Sequence, residues 1–359
     1  MKLPPRSAAL PPSPYDAEGT SESDLWFLPG PGDEAMDRVT RPPLPYADRR
    51  DLAEAGEWRA AQGTLAAELA RSAMLFGALD ERLSRLGEGA RQRLALLEAA
   101  ELSWHSGDRV PPDRLGLWVS LRLAGAQDDA QSLARAAWAV RRLAGGSGPM
   151  PDGPGAAERL AAFLGRQGTH APGDDLYGRL QDWAEAISRA GDLHPFVRAA
   201  YAARLWTFAW ISGPGSVGLI EAHVTVARLA AMAGRGGAVF LPLLLAGSQA
   251  LRRDGTVEVQ LQRFLQGAEQ ASLAALLHLD RLSAWRARAE AATVDLSGRT
   301  PPRLIKALSD WPLISTPMAE RVAGCSRAAA QRNLDILWSR DLIREVTGQS
   351  HFRMWSAKL

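Results

Sequence analysis

The residues from Trp206 to Ile220 read WTFAWISGPGSVGLI, two apolar segments around the tight turn Gly213-Pro214-Gly215-Ser216. A glycine-rich turn that opens onto a helix can hold phosphate. The unpaired N–H groups of the first helical turn and the helix dipole both favour an anion there. Phosphoryl chemistry asks for more: a base to take the hydroxyl proton, a carboxylate to hold Mg²⁺, and a cation to neutralise the phosphate. This stretch contains none of the three.

The other residues that could do chemistry are scattered. The six histidines, at 105, 170, 194, 223, 278 and 351, show no H-x-x-x-H or H-E-x-x-H spacing, so no zinc site is expected. Asp128-Asp129 and Asp174-Asp175 pair carboxylates, but each pair falls where a helix should begin and acidic groups complement the dipole. Gly234-Arg235-Gly236-Gly237 has the composition of an anion nest and equally that of a loop ending a helix, the reading preferred here. His194 before Pro195 reads as a helix start, and Ser103-Trp104-His105-Ser106 is too isolated for a triad. No catalytic residue, metal ligand or cofactor is expected.

The elements that must position these residues are helices. Ala, Leu and Arg dominate the 359 residues, whereas Ile, Val, Thr and Tyr are sparse, and the former lose little side-chain freedom in a helix. The twelve tryptophans are expected in the core. The single cysteine, Cys325, excludes a disulfide within the chain. The first residues lack the apolar core of a signal peptide, and the longest apolar run, Ala238 to Ala246, is too short to span a bilayer. A cytoplasmic protein with no membrane partner is expected.

Residues 1–47, rich in Pro, Gly, Ser and Asp, read as an extended, disordered arm that could wrap the body through Trp26, Phe27 and Leu28. An N-terminal helical region follows over 48–150 and a helical core over 151–294. The apolar spacing predicts helices over 48–73, 78–86, 87–106, from 111, 126–143, 156–165, 175–190, 194–211, 217–233, 239–252, 256–267 and 269–291, with GGSGPMPDGPG at 145–155 as a loop. No strand is expected before residue 340. Residues 295–302 read as a hinge into a last module, 295–359.

That module is the most legible part. Residues 303–309 form an amphipathic helix; Thr316 is read as the N-cap of a second helix, with Pro317 at its first position and Met318 to Ala323 following; Gly324-Cys325 is a turn; and Ser326 caps a third helix over 327–340. A hairpin then pairs 342–347 with 351–356. Net charge agrees with a polyanionic partner. Residues 299–359 carry 10 Lys+Arg against 5 Asp+Glu, a net of +5, whereas the whole chain is +2 and the remainder −3.

The stretch PMAERVAGCSRAAAQRNLDILWSRDLIREVTGQ resembles the turn, recognition helix and exit into the wing of winged helix-turn-helix modules. That resemblance implies double-stranded DNA as partner, with the third helix in the major groove and a homodimer as the binding form. Its N-terminal face would present Ser326, Arg327, Ala330 and Gln331, flanked by Arg332 and Asn333. Leu334, Leu337 and Trp338 would face the core. Arg pairs with guanine, and Gln or Asn with adenine. Arg303, Lys306, Arg340, Gln349, Ser350, His351 and Arg353 would contact phosphate.

The body carries a second resemblance. Leu193 to Ser216, with PFVRAAYA, the aromatic Trp206 and Gly215, resembles the helix and loop at the heart of Fic-type nucleotidyl transferases, many of which end in a winged helix. Residues 79–83, 98–107 and 240–267 resemble the helices around that heart, so the likeness runs over about 60–350. The chain is also similar to a rhizobial-plasmid-type family that pairs a helical domain with a C-terminal helix-turn-helix. Residue by residue, the Fic chemistry is not carried over. The His position falls on Trp210, the Phe on Ser212 and the acid on Pro214; Gly215 is kept; the following Asn, Gly and Arg fall on Ser216, Val217 and Gly218. The alternative frame at His194-Pro195-Phe196 lacks the acid and glycines that should follow, and the inhibitory Ser-x-x-x-Glu-Gly pattern has Ser106 for its Glu before Gly107. The expectation is a mainly α protein, a degenerate Fic-like bundle followed by a winged helix: a non-catalytic DNA-binding regulator, transcriptional or plasmid-associated, whose body dimerises or binds a protein partner. The alternatives are a Fic-like AMP transferase with an atypical active site and a protein-interaction scaffold.

Overall fold

The computed structural model describes residues 55–359 except 122–126, 167–174, 213–214 and 349–352. The arm expected over 1–47 lies outside the described residues, and so do His170, Asp174, Gln349, Ser350 and His351. Residues 54–359 form one compact unit. It is mainly helical, with three short strands among the described residues.

The helices are α1 (Gly56–Thr64), α2 (Ala66–Leu86), α3 (Glu88–His105), α4 (Pro112–Leu121), α5 (Gln127–Ala144), α6 (Ala156–Leu164), α7 (Leu176–Arg189), α8 (Pro195–Phe208), α9 (Ser216–Ala230) and α10 (Val257–Ala291). They are followed by α11 (Thr300–Asp310), α12 (Thr316–Ala323) and α13 (Arg327–Ser339). At the centre lies α8, buried nearly all round through Phe196, Val197, Tyr201, Leu205 and Trp206, as a core helix with no polar face must be. Phe196 contacts Phe76 of α2 and Phe264 of α10 edge-on, with ring centroids 5.5 and 6.4 Å apart. Trp183 meets Trp206 edge-on at 5.5 Å and donates its indole N–H to the Ala202 carbonyl. These T-shaped contacts are the geometry that ring quadrupoles favour.

The helix starts follow the expected capping chemistry. His194 Nδ1 accepts from the Phe196 N–H ahead of Pro195, and Asp175 accepts from the Gly178 N–H. Three expectations for the body are corrected. In place of helices over 48–73 and 78–86, the described residues divide at Leu65 into α1 and a continuous α2. Residues 239–252 form two 3₁₀ turns, Leu243–Ala246 and Ser248–Leu251, because Pro242 and the positive φ of Gly247 break any longer helix. The segments 256–267 and 269–291 are one continuous helix, α10, capped by Thr256.

Strands β1 (Ile314–Ser315), β2 (Ile343–Glu345) and β3 (Met354–Ala357) form an antiparallel sheet in the order β1-β3-β2. The pairing of β2 with β3 matches the expected hairpin, whereas β1 contradicts the expectation of no strand before residue 340. Two residues are too few to show alternation; Ile314 and Ser315 become a strand only because Trp355 and Met354 lie opposite them. The cap of α12 is Ser315, which accepts from the Met318 N–H, and Thr316 is already helical. Ser326 caps α13 as expected, accepting from the Ala329 N–H.

Around this sheet α11, α12 and α13 enclose a second core of Leu304, Ile305, Leu308, Leu334, Leu337 and Trp355. Leu282, Trp285 and Ala289 of α10 belong to the same core, and Trp285 donates to the Leu342 carbonyl at 2.7 Å. The long helix is therefore shared by both cores.

Candidate functional site

The recognition face on α13 can be built from its core side outward. Ala330, Leu334 and Leu337 are buried at i, i+4 and i+7. Ala330 is fully buried, which corrects its expected place on the exposed face; its small side chain lets α13 approach the module core. Trp338 is 53% exposed, not in the core as expected. It lies one residue round from the buried stripe and its ring meets Trp355 at 6.2 Å.

Ser326, Arg327 and Arg332 are exposed, and Gln331 and Asn333 are half-buried. Gln331 is already engaged: its carbonyl oxygen accepts from Thr316 Oγ1 at 3.0 Å, and its amide donates to Asp335 at 2.9 Å. Asn333 donates back to the Ala329 carbonyl. Arg327 and Arg332 make neither hydrogen bond nor ion pair among the described residues. The same holds for Arg321, which is exposed on α12 and which the sequence reading passed over.

The expected phosphate-contacting cations are mostly occupied. Arg303 donates to the Ala323 carbonyl beside Gly324 and so closes the end of α12. Lys306 pairs with Asp310. Arg340 grips Asp295 with both arms of its guanidinium, which holds that carboxyl below the ordinary carboxylate range. Arg353 lies over the Trp355 ring at 6.0 Å.

The module is held to the body by Arg93 of α3. Its guanidinium, 5% exposed, donates to the carbonyls of Leu308, Ser309 and Trp311 at the C-terminal end of α11. Burial pushes it down to about 10, with Asp310 acting the other way. Those carbonyls are the acceptors a helix leaves unpaired at its end.

Ser212, Gly215 and Gly218 lie at a cavity of about 390 Å³. Gly215 takes φ +103°, a value that favours glycine, and no side chain caps α9. The wall includes Trp206, Trp210, His105, His223 and Arg253. Glu98 and His223, both buried, are joined at 2.7 Å between Oε1 and Nε2, and Glu98 also accepts from the Leu244 N–H. These residues come from α3, α9 and the 3₁₀ turns, which lie far apart in sequence. No local spacing announces such a cluster; the one signal was the charge of Glu98 inside an otherwise apolar run.

The nest at 234–237 is filled by the chain itself. Asp80 accepts from the Arg235 N–H at 2.8 Å and the Ala238 N–H at 2.6 Å. Ser103 is likewise structural, bonded to the backbone of Ala100 and Val110. Among the described residues no group of three or more His, Cys, Asp or Glu could hold a metal ion, and no helix is long and apolar enough to cross a membrane. Compared with family models and with curated proteins, the chain matches none.

Proposed function

We propose that the protein recognises double-stranded DNA through a C-terminal winged helix and performs no chemistry: a transcriptional or plasmid-associated regulator built on a Fic-like helical body. One observation carries this reading. Arg327 and Arg332 stand exposed on α13 and unpaired among the described residues, in a segment of net charge +5. Cations left without carboxylate partners on one helix are what a phosphate backbone or a guanine edge requires. The order helix, strand, two helices, two strands supports a winged helix, and Arg321 extends the basic face onto α12.

Winged helices bind as pairs where operators repeat. A pairing surface is offered by Met74, Leu273 and Leu277, which are 68%, 48% and 52% exposed. The ion pairs Arg71–Glu269 and Arg82–Asp280 run between α2 and α10, the neighbouring helices that carry these side chains.

Genome-wide mapping of bound DNA, with mobility shifts at low and moderate salt, tests the reading. Discrete sites and an affinity that falls as salt rises are expected. No binding to mixed genomic DNA at low salt would refute it and favour the scaffold. The His223–Glu98 pair beside the loop favours a second reading, an AMP transferase with an atypical arrangement. Transfer of label from ATP in the presence of Mg²⁺ to the protein or a partner would establish it and overturn the first.

A further inference from the structure

The cavity beside Ser212, Gly215 and Gly218 has an unusual electrical wall. Its ionisable residues are His105, His223 and Arg253, and among the described residues no Asp or Glu lines it. Arg253 is half-buried, and that burial pushes its guanidinium down to about 10. Its neighbour Arg252 is paired with Asp254, as is Arg263, but Arg253 has no carboxylate among the described residues. It uses one nitrogen on the carbonyls of Ala250 and Arg252. A cation withdrawn from water without a counter-ion has its lost hydration replaced only in part by these two carbonyls.

His223 adds an independent sign. It is 3% exposed, its Nε2 is held by Glu98, and its Nδ1 has no hydrogen-bond partner. A buried ring nitrogen of this kind is rarely left unmade without reason. The uncapped start of α9 presents Gly215 and Gly218 to the same space. The remaining wall is apolar and aromatic: Trp206, Trp210, Leu219 and Leu251. Trp210 is kept at φ +53°, a strained value for an aromatic residue, and stands 44% exposed at the rim. The volume falls within the range of small-molecule sites.

We infer that this cavity binds a small aromatic anion, its charged oxygens against Arg253 and His105 and its ring against Trp206 and Trp210. An anion supplies the counter-ion Arg253 lacks. Carboxylate and phosphate monoester share this chemistry. In a DNA-reading protein the ligand serves as an effector, a role that rests on the proposed function; the binding itself does not.

Calorimetric titration of the full chain with benzoate, phenyl phosphate and the uncharged benzyl alcohol tests the site without DNA. For ligands of this size, a dissociation constant of about 1 mM or tighter is expected for at least one anion, and weaker binding of the alcohol. The better of benzoate and phenyl phosphate identifies the anionic group. Arg253→Gln should weaken anion binding about tenfold or more, as removal of a charged hydrogen-bond donor does. Arg253→Lys should retain part of the affinity. His105→Gln, at an exposed position, controls for misfolding and should weaken the anion severalfold. Equal affinity for the alcohol, unchanged anion affinity in folded Arg253→Gln and His105→Gln, or no heat from either anion would overturn the assignment. A protein that binds the anion but no DNA keeps this site and loses the proposed function; the reverse result does the opposite.

Discussion

Replacing Arg93 by Met tests how firmly the C-terminal module is seated. The wild-type guanidinium bonds the Ser309 carbonyl at 3.2 Å, the Trp311 carbonyl at 2.6 Å, and the Leu308 carbonyl. Hydrogen bonds to a charged group contribute about 1.5–3 kcal/mol each, and three would suggest a large total. Much of that is offset, because burying a guanidinium itself costs several kcal/mol. Met fills similar space, relieves that cost and leaves three acceptors at the end of α11 unpaired. The expected net loss is roughly 2–5 kcal/mol, a large part of the 5–15 kcal/mol that ordinarily separates folded from unfolded chains. Denaturant unfolding should show the loss, and hydrogen exchange should show faster opening of residues 300–315 than of α8. Arg93→Lys, which keeps the charge and loses the fork, should fall between. Gly89→Ala probes the same joint by another route, since a Cβ there would lie 1.4 Å from the Asp310 carbonyl oxygen and force α3 and α11 apart. A loss under about 1 kcal/mol with unchanged exchange would refute the claim that Arg93 anchors the module.

Arg327→Ala should cost about 1–3 kcal/mol on a cognate site and less on mixed DNA, and Gln331→Ala should do the same once Gln331 leaves Thr316 and Asp335; equal losses on all sequences by fluorescence anisotropy would make both backbone contacts instead. Gly237→Ala, whose Cβ would meet the Asp80 carbonyl oxygen at 1.9 Å, should lower the melting temperature more than Gly236→Ala, where only the φ of +95° is strained and nothing lies within 4 Å. Burial, with the Arg93 and Arg281 charges, pushes His278 from its ordinary 6.5 down to about 4. The folded state therefore refuses a proton that the unfolded chain accepts. Its contribution is complete above pH 6.5 and is lost as pH falls towards about 4, at most about 2–3 kcal/mol. Acid unfolding of His278→Gln should lack that part of the slope. Met74→Glu with Leu277→Glu should convert a dimer to monomer by sedimentation without changing the melting transition.

The helical class and most helix boundaries were legible because they rest on local chemistry. Apolar spacing marks the buried stripes, and Asp175, His194, Thr256 and Ser326 cap where short polar side chains can reach free N–H groups. Residues 243–251 were misread as a helix because their apolar pattern is real while Pro242 and Gly247 forbid a continuous ladder. Ala330 was placed outward because its type alone does not say which face of α13 it takes; Leu334 and Leu337 settle that by packing.

By itself the sequence determined the helical composition, the basic terminal segment and the lack of any His, carboxylate or cation in the 206–220 stretch, since residue type and local spacing carry all three. Only the tertiary structure decided that Asp80 fills the 234–237 nest, that Arg93 clasps α11, and that Glu98, His223 and Arg253 converge beside the loop. Each of those joins residues more than a hundred positions apart or from separate elements, and such contacts arise from helix packing, which no short window of sequence records.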